Sequence, residues 1–468
     1  MSFNRVHLWI LLGVTLVTRL LSLGAYPLMD TTEARYGEMA RLMVETNNWI
    51  TPQFDYGVPF WGKPPLFAWM SALGIKLFGV NEFAVRFPHW LAGVLIVGLV
   101  AYFAKRVGFS GLVSALVLST SGVFLISAGA VMTDIALTLG MSLALIGFYL
   151  CWQGSKLWGY LAFLGLAIGL LAKGPLVIVL VGLAVVPWLV MHHGFLGSLK
   201  VLWQRFPMVG GLLVMGAISI PWYIAAERAT PGFLNYFIIG EHIKRFVVSG
   251  WQGDLYGTAH NEARGTIWYF WLYAAAPWSL ILPILWWNKR KQLGKGIDPE
   301  SGLLSFLIFW MLSPMLLFTF AGNILPAYVL PGIPAMSVLI AILLSDEGND
   351  NQWFKIVSGA VPILLLGAVI FIQSGTGNRR SDKVLLRDID PSVPTYYIGR
   401  RPFSGQFYSS GKAKYLQNYE VLDHLKRVQL IGKKEAVEEV VHSKKMNCSI
   451  DIVEHSRRVL YRCERPGE

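Results

Sequence analysis

The sequence predicts an α-helical polytopic membrane protein that ends in a small soluble α+β domain. Three observations carry this expectation. The 468-residue chain is 54% hydrophobic and only 15% charged, with a mean hydropathy of +0.50, more apolar surface than a soluble fold of this length hides. Its apolar runs are about 17 to 22 residues long, which suits helices crossing a hydrocarbon core and not the short alternating strands of a barrel. From about Ser374 onward the composition becomes that of an ordinary soluble domain.

The first apolar run, about Leu8 to Leu23, follows Arg5 and His7 as a signal peptide would. No small-residue cleavage site comes after it, so it reads as an anchor. Further spans are expected near 88–104, 111–128, 133–151, 158–172, 174–191, 207–224, 266–287, 302–320, 325–344 and 355–373. With the first run these make eleven, or thirteen if Leu66–Val80 also crosses and another run splits. Basic residues fall in alternate loops: Arg5, Lys105 and Arg106, Lys156, Lys200 and Arg205, Lys289 to Lys295, and Lys355. The positive-inside rule makes those loops cytoplasmic. The other loops, and the region after an odd number of spans, then face outward. Residues 1–373 form the membrane domain in this reading, with an external loop at 25–87, and 374–468 form a periplasmic α+β domain.

The formal net charge of +12 comes without a basic helix or recognition module, so nucleic acid is not an expected partner. In the last region, "PTYYIGR" and "CSIDIVEHSRRVLYRC" read as strands and "AVEEVVHSKK" as a helix. Outside the cytoplasm a Cys448–Cys463 disulfide is permitted, and two unpaired buried thiols are equally compatible with the sequence. Cys151, at a helix end, reads as a small apolar filler.

The external loop opens with "MDTTEARYGEMARLMVETNNW". Tyr36, Met39, Ala40, Met43 and Val44 share one helical face, which predicts an interfacial helix over 33–45. Asp30 and Glu33 have the D-x-x-E spacing of a capping box, a purely structural role. The same loop continues with "DYGVPFWGKPP", where Trp61 fits an aromatic belt and two prolines restrict the reach of Lys63. Ionisable residues recur on this side of the membrane: Asp134 in "AVMTDIALTLG", Lys173 in "LLAKGPLV", Glu241, His242, Lys244 and Arg245 in "GEHIKRF", and His260, Glu262 and Arg264 in "AHNEARGTIWYF". Asn323 and Tyr328 stand in "GNILPAYVLP". Each residue alone has a bland explanation as an anchor, and Lys244, Glu262 and Glu45 are best read so. Their shared side points to function, because charge at membrane depth is costly.

A carboxylate on a structured loop beside lysines and arginines at helix mouths suits a lipid-borne phosphate. Arginine grips phosphate bidentately and lysine acts as a point charge. Both stabilise a departing phosphate best where water is excluded, and a carboxylate takes the proton from an attacking hydroxyl. That chemistry is glycosyl transfer from a polyprenyl phosphate. A transporter would instead show internal inverted repeats and charge near the bilayer midplane. A non-catalytic lipid-binding scaffold makes no such demand on the motifs.

The ordered series "DTTEARYGEMAR", "FWGKPP", "MTDIALT", "AKGP", "EHIKRF" and "LPAYVLP" resembles the bacterial GT-C glycosyltransferases of the aminoarabinose transferase and protein O-mannosyltransferase superfamily, over about residues 8–335. The resemblance implies a multi-helix GT-C-like membrane domain, a sugar donor on undecaprenyl or dolichyl phosphate, and inversion at the anomeric carbon. It implies that the catalytic carboxylate lies at the start of the first loop. Relatives carry Asp-Glu three and two residues before Arg-Tyr, which are Thr32 and Glu33 here. Asp30 stands two residues early, so the carboxylate is Asp30 or Glu33, with Asp30 favoured. Lys63 matches a Lys-Pro motif that contacts the donor phosphate. Arg35, Tyr36, Asp134, Lys173, Arg245, Arg264 and Tyr328 join it as implied substrate-binding residues. The aminoarabinose branch often has Glu before Lys-Pro and His before the later Tyr, a pair able to hold a divalent metal; Gly62 and Ala327 stand there instead. His242 and His260 are more simply hydrogen-bonding groups than a replacement metal site, so no cofactor is expected and transfer is expected to be metal-independent. The implied partners are a polyprenyl-phosphate sugar donor, membrane lipids, and a lipid or glycan acceptor, first of all lipid A or lipopolysaccharide, with protein as the alternative.

Overall fold

The computed structural model describes residues 3–248, 251–256, 262–296, 302–345, 352–387, 389–453 and 456–465. Helix α1 (Phe3–Ser22) leads into a loop region carrying α2 (Thr32–Thr46), the hairpin strands β1 (Gln53–Asp55) and β2 (Val58–Pro59), and α3 (Leu66–Phe78). The bundle continues with α4 (Glu82–Arg106), α5 (Gly111–Ser119), α6 (Gly122–Ser127), α7 (Thr133–Trp152), α8 (Lys156–Lys173), α9 (Leu176–Arg205) and α10 (Met208–Ala229). A π-helical stretch, Asn235–Lys244, runs into α11 (Arg245–Val247). Then come α12 (Thr266–Ala274), α13 (Trp278–Gly296), α14 (Leu303–Phe318), a 3-10 segment at Pro326–Gly332, α15 (Ile333–Leu343) and α16 (Gln352–Gln373).

Among the described residues, eight helices are long and apolar enough to cross a membrane, or nine if α12 and α13, bent by 94° at their junction, form one broken span. The remaining expected spans are built differently. Segment 111–128 divides into α5 and α6, and α14 has only 16 residues. Leu66–Val80 forms α3, whose 13 residues reach roughly 20 Å, too short to cross.

Close helix contact sets the geometry of the site. A Cβ on Gly140 of α7 would fall 2.7 Å from the Gly165 carbonyl oxygen and the Gly169 nitrogen of α8. Glycine therefore lets the two backbones touch, as small residues do between membrane helices. The N-terminal end of α7 is thereby fixed beside the C-terminal end of α8.

The C-terminal region contains α17 (Lys383–Arg387), β3 (Thr395–Tyr397), α18 (Phe403–Tyr408), β4 (Lys414–Tyr415), β5 (Arg427–Gly432), α19 (Lys434–Ser443), β6 (Asn447–Asp451) and β7 (Val459–Glu464). Its sheet runs β4-β3-β5-β7-β6, with β3 parallel to both neighbours and β7 antiparallel to both of its own. Cys448 lies opposite Cys463 across β6 and β7, and the two form a disulfide. Cys151 is free and buried.

This region does not hang free of the helical bundle. Phe407 of α18 is buried in one cluster with Leu28, Ala34, Tyr36, Met39 and Phe67. The expected interfacial helix is therefore covered. Along α2, Glu38 and Arg41 on the supposedly polar side are buried and joined at 2.7 Å. The capping box does not form either: helix α2 starts at Thr32, Thr31 takes the cap position, and no side-chain cap bond is made. Asp30 and Glu33 have other partners.

Candidate active site

Two adjoining cavities lie where the helical bundle meets the C-terminal region. The smaller, about 310 Å³, is walled by the start of α2, the Phe60–Lys63 turn, the mouths of α7 and α8, the π-helical stretch and the 3-10 segment. Five basic side chains line it, Arg35, Lys63, Lys173, Arg245 and Arg400, against three carboxylates, Asp134, Glu241 and Asp254. The excess positive charge suits an anionic ligand.

The basic side chains are held individually. Lys63 donates to Glu241 at 2.9 Å, and Arg245 reaches the same carboxylate at 2.9 Å. The turn bearing Lys63 is clamped from outside: Tyr256 donates its hydroxyl to the Pro59 carbonyl oxygen at 2.9 Å and accepts from the Trp61 backbone N–H at 3.0 Å. Arg35 donates to the Tyr256 carbonyl oxygen at 2.9 Å and lies over the Tyr36 ring. Its Nε is buried and unpartnered, so Arg35 keeps a donor with no acceptor among the described residues. Asp134 and Lys173, brought together by the α7–α8 contact, pair at 2.7 Å, and the lysine ammonium sits 4.1 Å from the centre of the Tyr328 ring.

The larger cavity, about 870 Å³, adjoins the first and shares Thr31, Thr32, Met132, Arg400 and Phe403 with it. Arg19, Arg379, Arg380, Arg400, Arg457 and Arg458 line it, with Asp30 and Glu33 as its carboxylates. Leu365, Ala368, Val369 and Ile372 of α16 supply an apolar wall. Arg19 is committed to the Ala128 and Ile126 carbonyl oxygens and Arg458 to Asp382.

The structure thus unites Arg35, Tyr36, Lys63, Asp134, Lys173, Arg245 and Tyr328 in one cavity. Asp30 and Glu33 open into the adjoining one. Arg264 is exposed and lines neither, and His260 lies outside the described residues. Glu33 is gripped by Arg86 through two bonds, at 2.8 and 2.7 Å. Burial would raise its pKa, but the Arg86 charge holds the carboxyl below its ordinary range. Asp30 accepts the Ser404 backbone N–H at 3.1 Å and the Ser404 hydroxyl. Burial pushes its carboxyl above the ordinary range. Both carboxylates are therefore fixed, and of the two only Asp30 makes no ion pair among the described residues.

Sequence reasoning passed over Arg86, whose signal was an arginine inside the apolar helix "EFAVRFPHW". It treated Glu241 as one charge among several. Arg400 and Phe403 had no local signal, since they come from the other end of the chain.

These features define a polytopic helical membrane protein with paired cationic cavities lined by the bundle and by residues of the small α+β region. Residues 9–237 match the family described as dolichyl-phosphate-mannose-protein mannosyltransferase. The undecaprenyl phosphate-alpha-4-amino-4-deoxy-L-arabinose arabinosyl transferase of Enterobacter sp. (strain 638) is 31% identical over 399 residues, covering 79% of this chain and 66% of that protein. A second such transferase, from Pseudomonas fluorescens (strain Pf0-1), is 30% identical over 387 residues, with 79% and 65% covered. The chain thus spans slightly less than two thirds of the length of these relatives. Among solved structures, ArnT from Cupriavidus metallidurans bound to undecaprenyl phosphate superposes with a TM-score of 0.74 at 19% identity, over 99% of this chain and 98% of that one. That likeness is one of fold. The chain is thus similar in sequence to the aminoarabinose transferases and, over residues 9–237, to the protein mannosyltransferase family.

Proposed function

We propose that the protein is an inverting glycosyltransferase that moves a sugar from a polyprenyl (undecaprenyl) phosphate donor to an envelope acceptor, with lipid A or lipopolysaccharide as first choice. The observation that carries this reading is the adjacency of the two cationic cavities, which share a wall at Thr31, Thr32, Met132, Arg400 and Phe403. The smaller holds the donor phosphate on Lys63 and Arg245, with Arg35 supplying a further cation. The larger takes the acceptor, its arginines meeting phosphate and its α16 wall meeting acyl chains.

The names of the sequence relatives support an undecaprenyl phosphate-linked sugar as donor, as does the undecaprenyl phosphate held by the solved relative. Asp30 is the proposed proton acceptor. It lies on the acceptor side, burial raises its basicity, and its oxygens have lone pairs beyond those used by Ser404. Glu33 is assigned to holding the loop through Arg86. A phosphate acceptor is largely ionised near neutrality, by analogy with phosphoserine, and asks little of Asp30. The mannosyltransferase family matched over 9–237 supports protein hydroxyls as the alternative acceptor, for which Asp30 becomes essential.

In this reading residues 1–373 are the membrane transferase domain and 374–468 a periplasmic cap, and the chain lies in the bacterial inner membrane with both cavities facing the periplasm. The charge asymmetry of the loops supports that orientation, and a disulfide fits an oxidising compartment. Incubation of the purified protein with radiolabelled undecaprenyl-phosphate sugar and membrane extract tests the activity. Label in a lipid fraction, with the mass increment of the sugar residue alone and release of undecaprenyl phosphate, is expected; no transfer to any acceptor overturns it.

A further inference from the structure

Glu241 projects into the smaller cavity with its side chain only 3% exposed. Its Oε2 accepts from Lys63 Nζ at 2.9 Å and from Arg245 Nη1 at 2.9 Å. Its Oε1 accepts from Arg245 Nη1 at 3.2 Å and from the Tyr236 hydroxyl at 3.2 Å. Two cations therefore converge on one oxygen, as they would on a non-bridging oxygen of a phosphate. Although burial would raise its pKa, Lys63 and Arg245 hold the Glu241 carboxyl down at about 2, so it is an anion at any working pH.

A carboxylate in this position has two conceivable jobs: to hold the cations in place, or to stand where the ligand's anion goes. The surroundings decide between them. Lys63 also donates to the Gly62 carbonyl oxygen, and its backbone is stiffened by Pro64 and Pro65. Arg245 also faces Asp254 at 3.5 Å and, in the amide orientation that satisfies both groups, the Asn323 side-chain oxygen. Each cation keeps a second anchor without Glu241. Among the described residues the cavity has no other carboxylate shared by both cations.

We propose that Glu241 is an internal counter-anion that occupies the donor-phosphate position, yields it when the sugar-linked lipid binds, and returns to displace the undecaprenyl phosphate product. This rests on the donor reading above. The carboxylate weakens binding of every phosphate in the pocket. The penalty matters most for the product, whose monoester carries more negative charge than the diester donor and would otherwise remain on the cations. Glu241 is thus a positioning residue that trades affinity for turnover.

The test measures binding of undecaprenyl phosphate and of undecaprenol, which lacks the phosphate, to the full chain in nanodiscs. Glu241→Gln is expected to bind undecaprenyl phosphate about tenfold tighter than the wild type and undecaprenol no differently, while Lys63→Ala loses the phosphate-dependent part. A residue that merely holds the cations would give the opposite sign, so equal or weaker binding by Glu241→Gln overturns the proposal. A structure of the wild type with undecaprenyl phosphate gives a second reading that needs no variant. The phosphate is expected between Lys63 and Arg245 with Glu241 turned beyond hydrogen-bond distance, and Glu241 still bonded to both cations overturns the proposal. If the wild type binds undecaprenyl phosphate no better than undecaprenol, the donor reading itself fails. If it binds and Glu241→Gln gains nothing, only the counter-anion role fails.

Discussion

Ser404 holds Asp30 across 374 residues of sequence: its backbone N–H donates to one carboxylate oxygen at 3.1 Å and its hydroxyl to the other. The Ser404 hydroxyl also accepts the Asp382 backbone N–H at 3.1 Å. The loop after α1 and the C-terminal region are thereby joined at the carboxylate nearest the proposed acceptor. Four consequences for experiment follow from this arrangement and its neighbours.

With a phosphate acceptor, Asp30→Asn retains transfer within about tenfold, while Lys63→Ala loses about 100-fold or more. Initial rates with radiolabelled donor and lipid A check this. A fall of about 100-fold in Asp30→Asn would assign the acceptor to hydroxyls.

Glu33 and Arg86 form a buried pair, so Glu33→Gln leaves an uncompensated guanidinium and costs about 3–5 kcal/mol at pH 7. The folded-state pKa of Glu33 is depressed below its ordinary 4.5. Its stabilisation is therefore fully present above about 4.5 and is lost as pH falls through the folded value. The difference in thermal midpoint between wild type and Glu33→Gln should accordingly shrink below pH 4.5, as measured in detergent across pH 3.5 to 7.

Arg379, Arg380 and Arg457 line the larger cavity without a carboxylate partner among the described residues. Replacing all three by alanine is expected to raise KM for a phosphorylated lipid acceptor about tenfold or more and to leave undecaprenyl phosphate binding unchanged. Arg400, which lines both cavities, should affect both when replaced.

The Cys448–Cys463 bridge closes a separation of 15 residues, worth about 3 kcal/mol by loop-closure entropy. Cys448→Ser with Cys463→Ser should lower protection of β6 and β7 in hydrogen exchange. Protection of α7 and α8 should stay as it is.

Much of the fold was legible because it is local. Length and hydropathy mark α4, α7, α8 and α16 without reference to any neighbour, and the charged residues gathered at helix ends pointed to the candidate site. Features that depend on packing were read less well. The face pattern of α2 promised a surface helix, yet Glu38 and Arg41 satisfy each other under the cap, so burial reached the polar side as well. Asp30 and Glu33 looked like partners in a capping box, and each proved to belong to a distant residue.

The sequence by itself determined a helical bundle with membrane-length apolar helices and singled out Lys63 and Arg245 among the ionisable residues at the helix ends. Only the tertiary structure decided that Asp134 meets Lys173, that Glu241 lies between Lys63 and Arg245, and that Asp30 turns toward Ser404 in a second cavity. The physical reason is range. Apolar length and charge position are properties of a single segment, whereas an ion pair depends on which segment ends meet, and that is fixed by contacts such as Gly140 against Gly165 between helices whose pairing no local pattern records.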